Sequence, residues 1–376
     1  MINKILYLLK LYKFNNLNEK ILSGGSIRAF DDIQKEKKKG IYRTKYLDKN
    51  DLDKKNNPKI KFKYYYILNN NLVSDNDLDR IYKLGLAPAY DKVWVSSDPE
   101  SKIQATGIDA KGRKQYRYHE KYIKGSNVKK FLRLYKFIKA VPKLDKNIEK
   151  DIKGSTQSKN YVIALMIYIV RETNIRVGKE YYARTNKSYG ISSLKKSHIK
   201  IDAVKNRVKF NFKAKSNKQV QYTIDNPLIV KELKNIIKID GEKLFLYKSE
   251  TNGNYNRVSD VDLNKYIQDK MGKQFTMKDF RTYAANYYFI KALLKETRNK
   301  NPINQKIAKK NISNAQQITA YYLRHTKSIS KKSYTMELIR EKYMNDSNYF
   351  IENKNKSPLT ILINILKLYK KNLQKK

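Results

Sequence analysis

The chain has no cysteine, only three histidines (His119, His198 and His325) and no apolar run long enough to cross a bilayer. The first absence excludes disulfides, thiolate nucleophiles and cysteine-held zinc, and it fits a reducing compartment. The second excludes a histidine-rich metal centre. No acidic cluster takes its place: Asp75-Asn76-Asp77-Leu78-Asp79 has the spacing of a calcium loop but Arg80 where such a loop needs glycine, and it reads as a solvated turn. A G-x-x-x-x-G-K-[ST] loop is also missing, so nothing marks an ATP site. The longest apolar stretch, residues 162–170, reads as a buried core helix. Residues 1–14 are interrupted by Lys4, Lys10 and Lys13, and Leu6, Leu9 and Lys13 fit a short amphipathic helix instead of a membrane span. The expectation is a soluble protein with no metal, no small-molecule cofactor and no membrane partner.

Negative charge is scarce as well. Against 35 Asp and Glu stand 82 Lys and Arg, a formal net charge of +47. A polyanion is the expected partner, and nucleic acid comes first, because neutralisation of phosphates by Lys and Arg dominates its binding. Lys, Asn, Ile and Tyr rise together, as they do in an AT-rich genome, so codon bias supplies part of the excess. Under that bias lysine is the default cation, and the fifteen arginines that remain mark positions where a planar fork is needed.

At 376 residues the chain has room for two domains, each with a core. Residues 31–59 are charged, Asn-rich and poor in apolar periodicity, which predicts a flexible or loosely packed segment. From Lys61 the texture turns β-prone: residues 62–68, 93–95, 102–106 and 115–118 read as short strands separated by turns. After Gly125-Ser126 the period becomes helical, with Phe131, Leu134, Tyr135 and Ile138 on one face of a helix ending before Pro142. Residues 161–172 form the next helix. Strands at 199–201, 207–212 and 220–224 interrupt, and helices resume at 228–237, after Ser259, at 281–295, 303–323 and 334–343, and after Ser357-Pro358. The fold class is α+β, with an unassigned N-terminal extension (1–60), a small β-rich domain (61–125) and a larger, mainly helical domain carrying one small sheet (126–376).

Several segments carry chemistry. Along residues 106–119 cations alternate with aromatics, and strand geometry puts Gln115 on one face and Tyr116 and Tyr118 on the other. Such a strand can meet phosphates with one set of side chains and base edges with another, and it equally fits an exposed strand of a basic protein. Arg176 follows a buried helix and precedes Gly178. Lys215 sits on a hairpin, where by itself it is one solvated lysine among many. Arg281 opens a helix, three residues after Lys278, and a helix N-terminus favours phosphate. His325 is followed nine positions later by Tyr334. Two guanidiniums, an ammonium, an imidazole and a phenol suit attack on a phosphodiester without a metal, since a phenol of ordinary pKa, about 10, needs a site that stabilises charge on the phosphate.

Segments 107–119, 175–179, 192–199, 278–283 and 325–334, in that order, resemble the poxvirus-like type IB DNA topoisomerases over roughly residues 61–342. The resemblance implies a two-domain clamp around duplex DNA that nicks and reseals one strand. It makes Tyr334 the nucleophile forming a 3′-phosphotyrosyl bond, Arg176 and Arg281 clamps on the non-bridging oxygens, His325 a further donor, and Lys215 the general acid, assisted by Arg176. Lys278 matches a further catalytic-site lysine. Lys111, Arg113, Gln115, Tyr116 and Tyr118 match DNA contacts of the N-terminal domain, and Lys179 and Tyr182 match contacts of the catalytic domain. It also implies supercoil relaxation without ATP, a monomer, and a place in the virion or the host cytoplasm. The family often has glycine before the histidine and proline two after; here Arg324 and Lys327 stand. One rival is a tyrosine recombinase, which shares the Arg, Lys, Arg, Tyr logic but places its tyrosine further from the second arginine of its box than Tyr334 lies from Arg324. The other is a non-catalytic DNA-binding protein.

Overall fold

A computed structural model describes residues 39–53, 58–297 and 304–374. The amphipathic helix expected within residues 1–14 lies outside them. The chain divides into two units, Met1–Asn127 and Val128–Lys376.

In the first unit five antiparallel strands are ordered β2-β1-β3-β4-β5: β1 (Ile41–Leu52), β2 (Pro58–Tyr66), β3 (Asp91–Val95), β4 (Ile103–Ile108) and β5 (Lys114–Tyr118). Within residues 31–59, where a loosely packed segment is expected, Ile41–Leu52 instead forms the paired strand β1, and residues 31–38 and 54–57 lie outside the described residues. Only the start of β1 is in the core, where Ile41 is buried and pairs with Val95. Its outer half is a solvated ribbon stitched by charge, with Lys61 bonded to Asp48 and Lys59 to Asp51. A ribbon with two wet faces has no apolar alternation to detect. The acidic run read as a solvated turn also proves different. It opens helix α1 (Asp75–Lys83), capped by Ser74, and Asp77 holds Arg80 at 2.7 Å. Arg80 is not a failed metal-loop residue: it also donates to Ser96 O at 2.8 Å and Gln104 Oε1 at 3.1 Å.

The second unit is mostly helical. Helix α2 (Glu120–Ile152), whose first turns belong to the first unit, runs straight through Pro142 instead of ending before it. Phe131, Leu134, Phe137 and Ile138 before the proline and Leu144 and Ile148 after it are all buried, and that packing outweighs the one helical hydrogen bond a proline removes. Helix α3 (Lys159–Thr173) is capped by Ser158 and buried nearly all round. It ends on Asn174, whose left-handed φ of 58° turns the chain toward Arg176. A short helix α4 (Glu180–Asn186) follows, and then an antiparallel sheet of β6 (Ile199–Asp202), β7 (Arg207–Ala214) and β8 (Lys218–Asp225). Alternate residues of β7 and β8 are buried, Phe210 and Tyr222 among them.

Helix α5 (Pro227–Ile237), the ribbon β9 (Leu246–Lys248) and β10 (Tyr255–Arg257), and helix α6 (Asp260–Met271) come next. The expected Ser259–Asp262 capping pair is present, with Ser259 N 2.8 Å from the Asp262 carboxylate. Helices α7 (Met277–Thr297), α8 (Gln305–Tyr322), α9 (Glu337–Asn345), α10 (Asn348–Glu352) and α11 (Pro358–Gln374) complete the unit. The segment around Tyr334 does not start a helix as expected. Ser330–Tyr334 is a wide π-type turn.

One buried polar knot ties α7, α8 and α9 together: the Tyr343 hydroxyl lies 2.9 Å from Thr297 Oγ1 and accepts from Asn311 Nδ2 at 2.9 Å. Tyr343→Phe leaves both partners buried without it and is expected to cost about 1–3 kcal/mol. The measurement is a lower midpoint of urea unfolding at unchanged slope.

Candidate active site

Arg281 lies in the second turn of α7, 4% exposed. Its guanidinium donates to the carbonyls of Asn174 and, at 2.7 Å, Leu323. Arg176 donates at 3.4 Å to the next carbonyl of the same loop, that of Arg324. Two glycines let the Arg176 strand close up on its neighbour. Ile191 N reaches Arg176 O at 2.9 Å, and a Cβ on Gly190 would stand 2.5 Å from that oxygen. Ser192, within the 192–199 segment, donates to Val177 O at 3.1 Å and Gly178 O at 3.2 Å.

The loop held by these arginines carries His325, 9% exposed, whose ring centroid lies 5.0 Å from that of Tyr334. The Arg281 guanidinium carbon stands 5.5 Å from the Tyr334 ring. Three buried polar atoms here have no hydrogen-bond partner among the described residues: Arg281 Nε and both ring nitrogens of His325.

The concentrated positive charge sets the protonation states. Burial pushes the Tyr334 phenol up, but the charges of Arg281, Arg176 and Lys278 outweigh it and hold the phenol below its ordinary value. For His325, burial and the same two arginines act together and push the imidazole down to about 3, so it is neutral at neutral pH. Burial, with Arg281 beside it, also lowers the Arg176 guanidinium.

Main-chain contacts fix the tyrosine's segment. Asn286, fully buried in α7, donates to Tyr334 O at 3.1 Å and accepts from Met336 N at 2.8 Å, so one side-chain amide grips the peptide on both sides of Thr335. Gln316 Nε2 reaches Thr335 Oγ1 at 2.8 Å, and Lys130 Nζ reaches Ser333 O at 2.5 Å. Burial and the nearby Lys278 push the Lys130 ammonium down to about 8. None of these was singled out from the sequence. Asn286 carries no distinguishing local signal, since the buried positions of α7 also include Asp279, Arg281 and Thr282.

The remaining expected residues are exposed, apart from the half-buried Gln115. Lys215 is exposed at the tip of the β7–β8 hairpin, where Ser216 and Asn217 take left-handed φ of 64° and 61°. It has no hydrogen bond or ion pair among the described residues. Lys278 is exposed one turn before Arg281 and acts on Tyr334 through its charge. The Asp279 beside it caps α7, accepting from Thr276 N at 2.9 Å, and also takes Arg133 Nε at 3.0 Å.

Lys179 and Tyr182 are exposed at the start of α4. Glu180 anchors that helix: nearly buried, it binds Lys243 at 2.8 Å. In the first unit, β5 alternates as expected, with Gln115 and Arg117 half-buried and Tyr116 and Tyr118 exposed. The two tyrosine rings stack at 6.0 Å. Asp109, not foreseen, organises the turn before them. Its carboxylate takes Arg113 Nε at 2.8 Å and Gln115 Nε2 at 2.9 Å, while Lys111 is exposed beside it. Arg113 holds that carboxyl at about 2. Among the described residues no group of three or more His, Asp or Glu could hold a metal ion, and no helix is long and apolar enough to cross a membrane.

Residues 119–357 match the family described as eukaryotic DNA topoisomerase I, catalytic core, and residues 61–109 match the bacterial DNA topoisomerase IB N-terminal domain. The chain belongs to the type IB DNA topoisomerase family. It is 50% identical over 337 residues to the DNA topoisomerase 1B of Acanthamoeba polyphaga mimivirus, covering 89% of this chain and 96% of that protein. It is also 29% identical over 265 residues to the DNA topoisomerase I of Monkeypox virus and to the DNA topoisomerase 1B of Vaccinia virus (strain Copenhagen). Each of these matches covers 69% of this chain and 77% of the relative. This protein is therefore a DNA topoisomerase acting on DNA, and its mainly-β first unit and helical second unit agree with the type IB fold. Neither the recombinase nor the passive DNA binder is favoured.

The neutral imidazole of this topoisomerase has a measurable consequence. Unfolding returns His325 to its ordinary value of 6.5, so the unfolded chain takes up a proton that the folded one refuses. Its contribution to stability is full above pH 6.5 and is lost as pH falls toward 3. The melting temperature of the wild type is expected to fall more steeply between pH 6.5 and 4 than that of His325→Asn. Parallel curves would show that the imidazole does not titrate this way.

Proposed function

We propose that this type IB topoisomerase relaxes supercoiled duplex DNA by direct transesterification through Tyr334. The carrying observation is that the three unpartnered buried atoms, Arg281 Nε and the two His325 nitrogens, gather beside one phenol of lowered pKa. Buried polar atoms are normally satisfied, and the non-bridging oxygens of a phosphodiester would satisfy the two donors among these, Arg281 Nε and the protonated ring nitrogen of His325. The phenolic oxygen bonds to phosphorus as the P–O5′ bond breaks, leaving a 3′-phosphotyrosyl enzyme and a 5′-hydroxyl. Arg176 and Arg281 hold the equatorial oxygens where charge develops, and His325, neutral, donates a hydrogen bond from one ring nitrogen. The phenol proton passes to solvent, and Lys215, with Arg176 beside the phosphate, protonates the departing 5′-oxygen.

Resealing is the same exchange run backwards. One phosphodiester is traded for another, so no ATP is needed. Lys278 keeps the phenol acidic and meets the DNA backbone. Lys179 and Tyr182 on one unit, and Lys111, Arg113, Gln115, Tyr116 and Tyr118 on the other, contact the duplex. All the side chains of the catalytic cluster come from one chain, which supports a monomer. The viral origin of the relatives supports action in the virion or in a viral factory of the host cytoplasm.

Plasmid relaxation in EDTA without ATP is the expected activity. Tyr334→Phe is expected to abolish covalent capture of DNA while binding persists; equal capture by wild type and variant would move the nucleophile elsewhere. Lys215→Ala is expected to slow cleavage of ordinary DNA about a hundredfold or more and to slow a 5′-bridging phosphorothiolate much less, because sulfur leaves without a proton. Equal losses on the two substrates would remove Lys215 from the acid role.

A further inference from the structure

Arg324 reaches different parts of the site with its backbone and with its side chain. Its φ of 52° is left-handed, a conformation that a long side chain adopts at a cost. That backbone turn presents two consecutive carbonyls outward, Leu323 O to Arg281 and Arg324 O to Arg176, and sets His325 next to Tyr334. The side chain goes elsewhere. Its Nη2 donates to Gln221 O at 3.3 Å, and its guanidinium carbon lies 4.6 Å from the ring of Tyr321 and 5.6 Å from the ring of Tyr222. Gln221 and Tyr222 are both on β8, and Gln221 faces Asn211 across the hairpin whose tip carries Lys215.

A two-stranded extension with an exposed tip is held laterally only by what grips its strands. Arg324 supplies such a grip, from the same residue whose carbonyl one catalytic arginine holds. Two cation–π contacts and a charge-assisted hydrogen bond together offset the unfavourable turn. Residues in sparsely populated backbone regions persist where surrounding contacts over-determine them, and here two of the three contacts, to Gln221 and Tyr222, run to the hairpin.

We propose that Arg324 is a positioning residue that couples the Lys215 hairpin to the His325 loop, fixing where the hairpin tip stands when DNA is bound. The coupling rests on the reading of Lys215 as the general acid. A merely structural arginine would lower stability or slow both substrates alike. A positioning arginine affects the step that needs the lysine's proton.

Arg324→Gly suits the test because glycine adopts a φ of 52° without strain, so the turn and the two carbonyls it presents survive. Single-turnover cleavage is measured on an ordinary duplex and on the same duplex with a 5′-bridging sulfur, with Lys215→Ala in parallel. Arg324→Gly is expected to slow the ordinary substrate about tenfold or more and the sulfur substrate much less. Arg324→Lys, which keeps the charge without the planar fork, is expected to fall between. Equal slowing of both substrates, or none, overturns the proposal. If Lys215→Ala itself slows both equally, the acid reading fails separately, and amide hydrogen exchange over residues 213–219 then decides the coupling. Faster exchange there in Arg324→Gly than in wild type supports it, and unchanged exchange overturns it.

Discussion

Everything at the active site depends on one buried cation satisfied by main-chain oxygens. Arg281 has no carboxylate partner among the described residues; it is held by the carbonyls of Asn174 and Leu323, the C-terminal cap of α3 and the residue that follows α8. Taking a guanidinium out of water is expensive unless its donors are met, and carbonyl dipoles meet Nη1 and Nη2 without cancelling the charge, which leaves Nε for a ligand. A carboxylate would have made a stable ion pair and a poor anion site. Because the oxygens belong to segments far apart in sequence, the bonds that satisfy the charge also join α3, α7 and the His325 loop.

The chemistry follows from that uncancelled charge. Arg176 stands close enough to Arg281 that each makes the other's neighbourhood more positive, and the two weaken the hold of both neighbours on a proton. The phenol of Tyr334 is made more acidic, and the imidazole of His325 is kept neutral. A nucleophile readier to lose its proton thus stands beside a donor that adds no further charge. Positioning is as demanding as electrostatics. The wide turn over Ser330–Tyr334 leaves main-chain groups that a regular helix would satisfy, and Asn286 and Lys130 supply their partners while Gln316 holds the Thr335 hydroxyl.

Much of the fold could be read from the sequence. The three strands of the small sheet, the buried helix over residues 161–172 and the Ser259–Asp262 cap all announce themselves by period or cap chemistry. The misses share one cause: tertiary or cross-strand contacts outweighed a local signal. Strand β1 is held by pairing and by lysine–aspartate contacts where apolar alternation is absent. Pro142 stays inside α2 because both halves of the helix are anchored in the core. The acidic run after Ser74 is a helix start because Arg80, one turn on from Asp77, is anchored by Ser96 O and Gln104 Oε1. Asn286, Glu180 and Asp109 could not be singled out, since a polar residue's importance lies in what it touches, and its partners are distant in sequence or hidden in a turn.

By itself the sequence determined the residue types of the chemistry, the excess of positive charge that favours a polyanion, and the order of motifs along the chain, because these are properties of composition and spacing. Only the tertiary structure decided that Arg281, His325 and Tyr334 stand within a few ångströms of one another with polar atoms still unpaired, that Lys215 remains at an exposed hairpin tip, and that Arg324 bends through a left-handed turn to grip that hairpin. The physical reason is that protonation, desolvation and hydrogen-bond satisfaction depend on distances through space, and the chain sets those distances only when it packs.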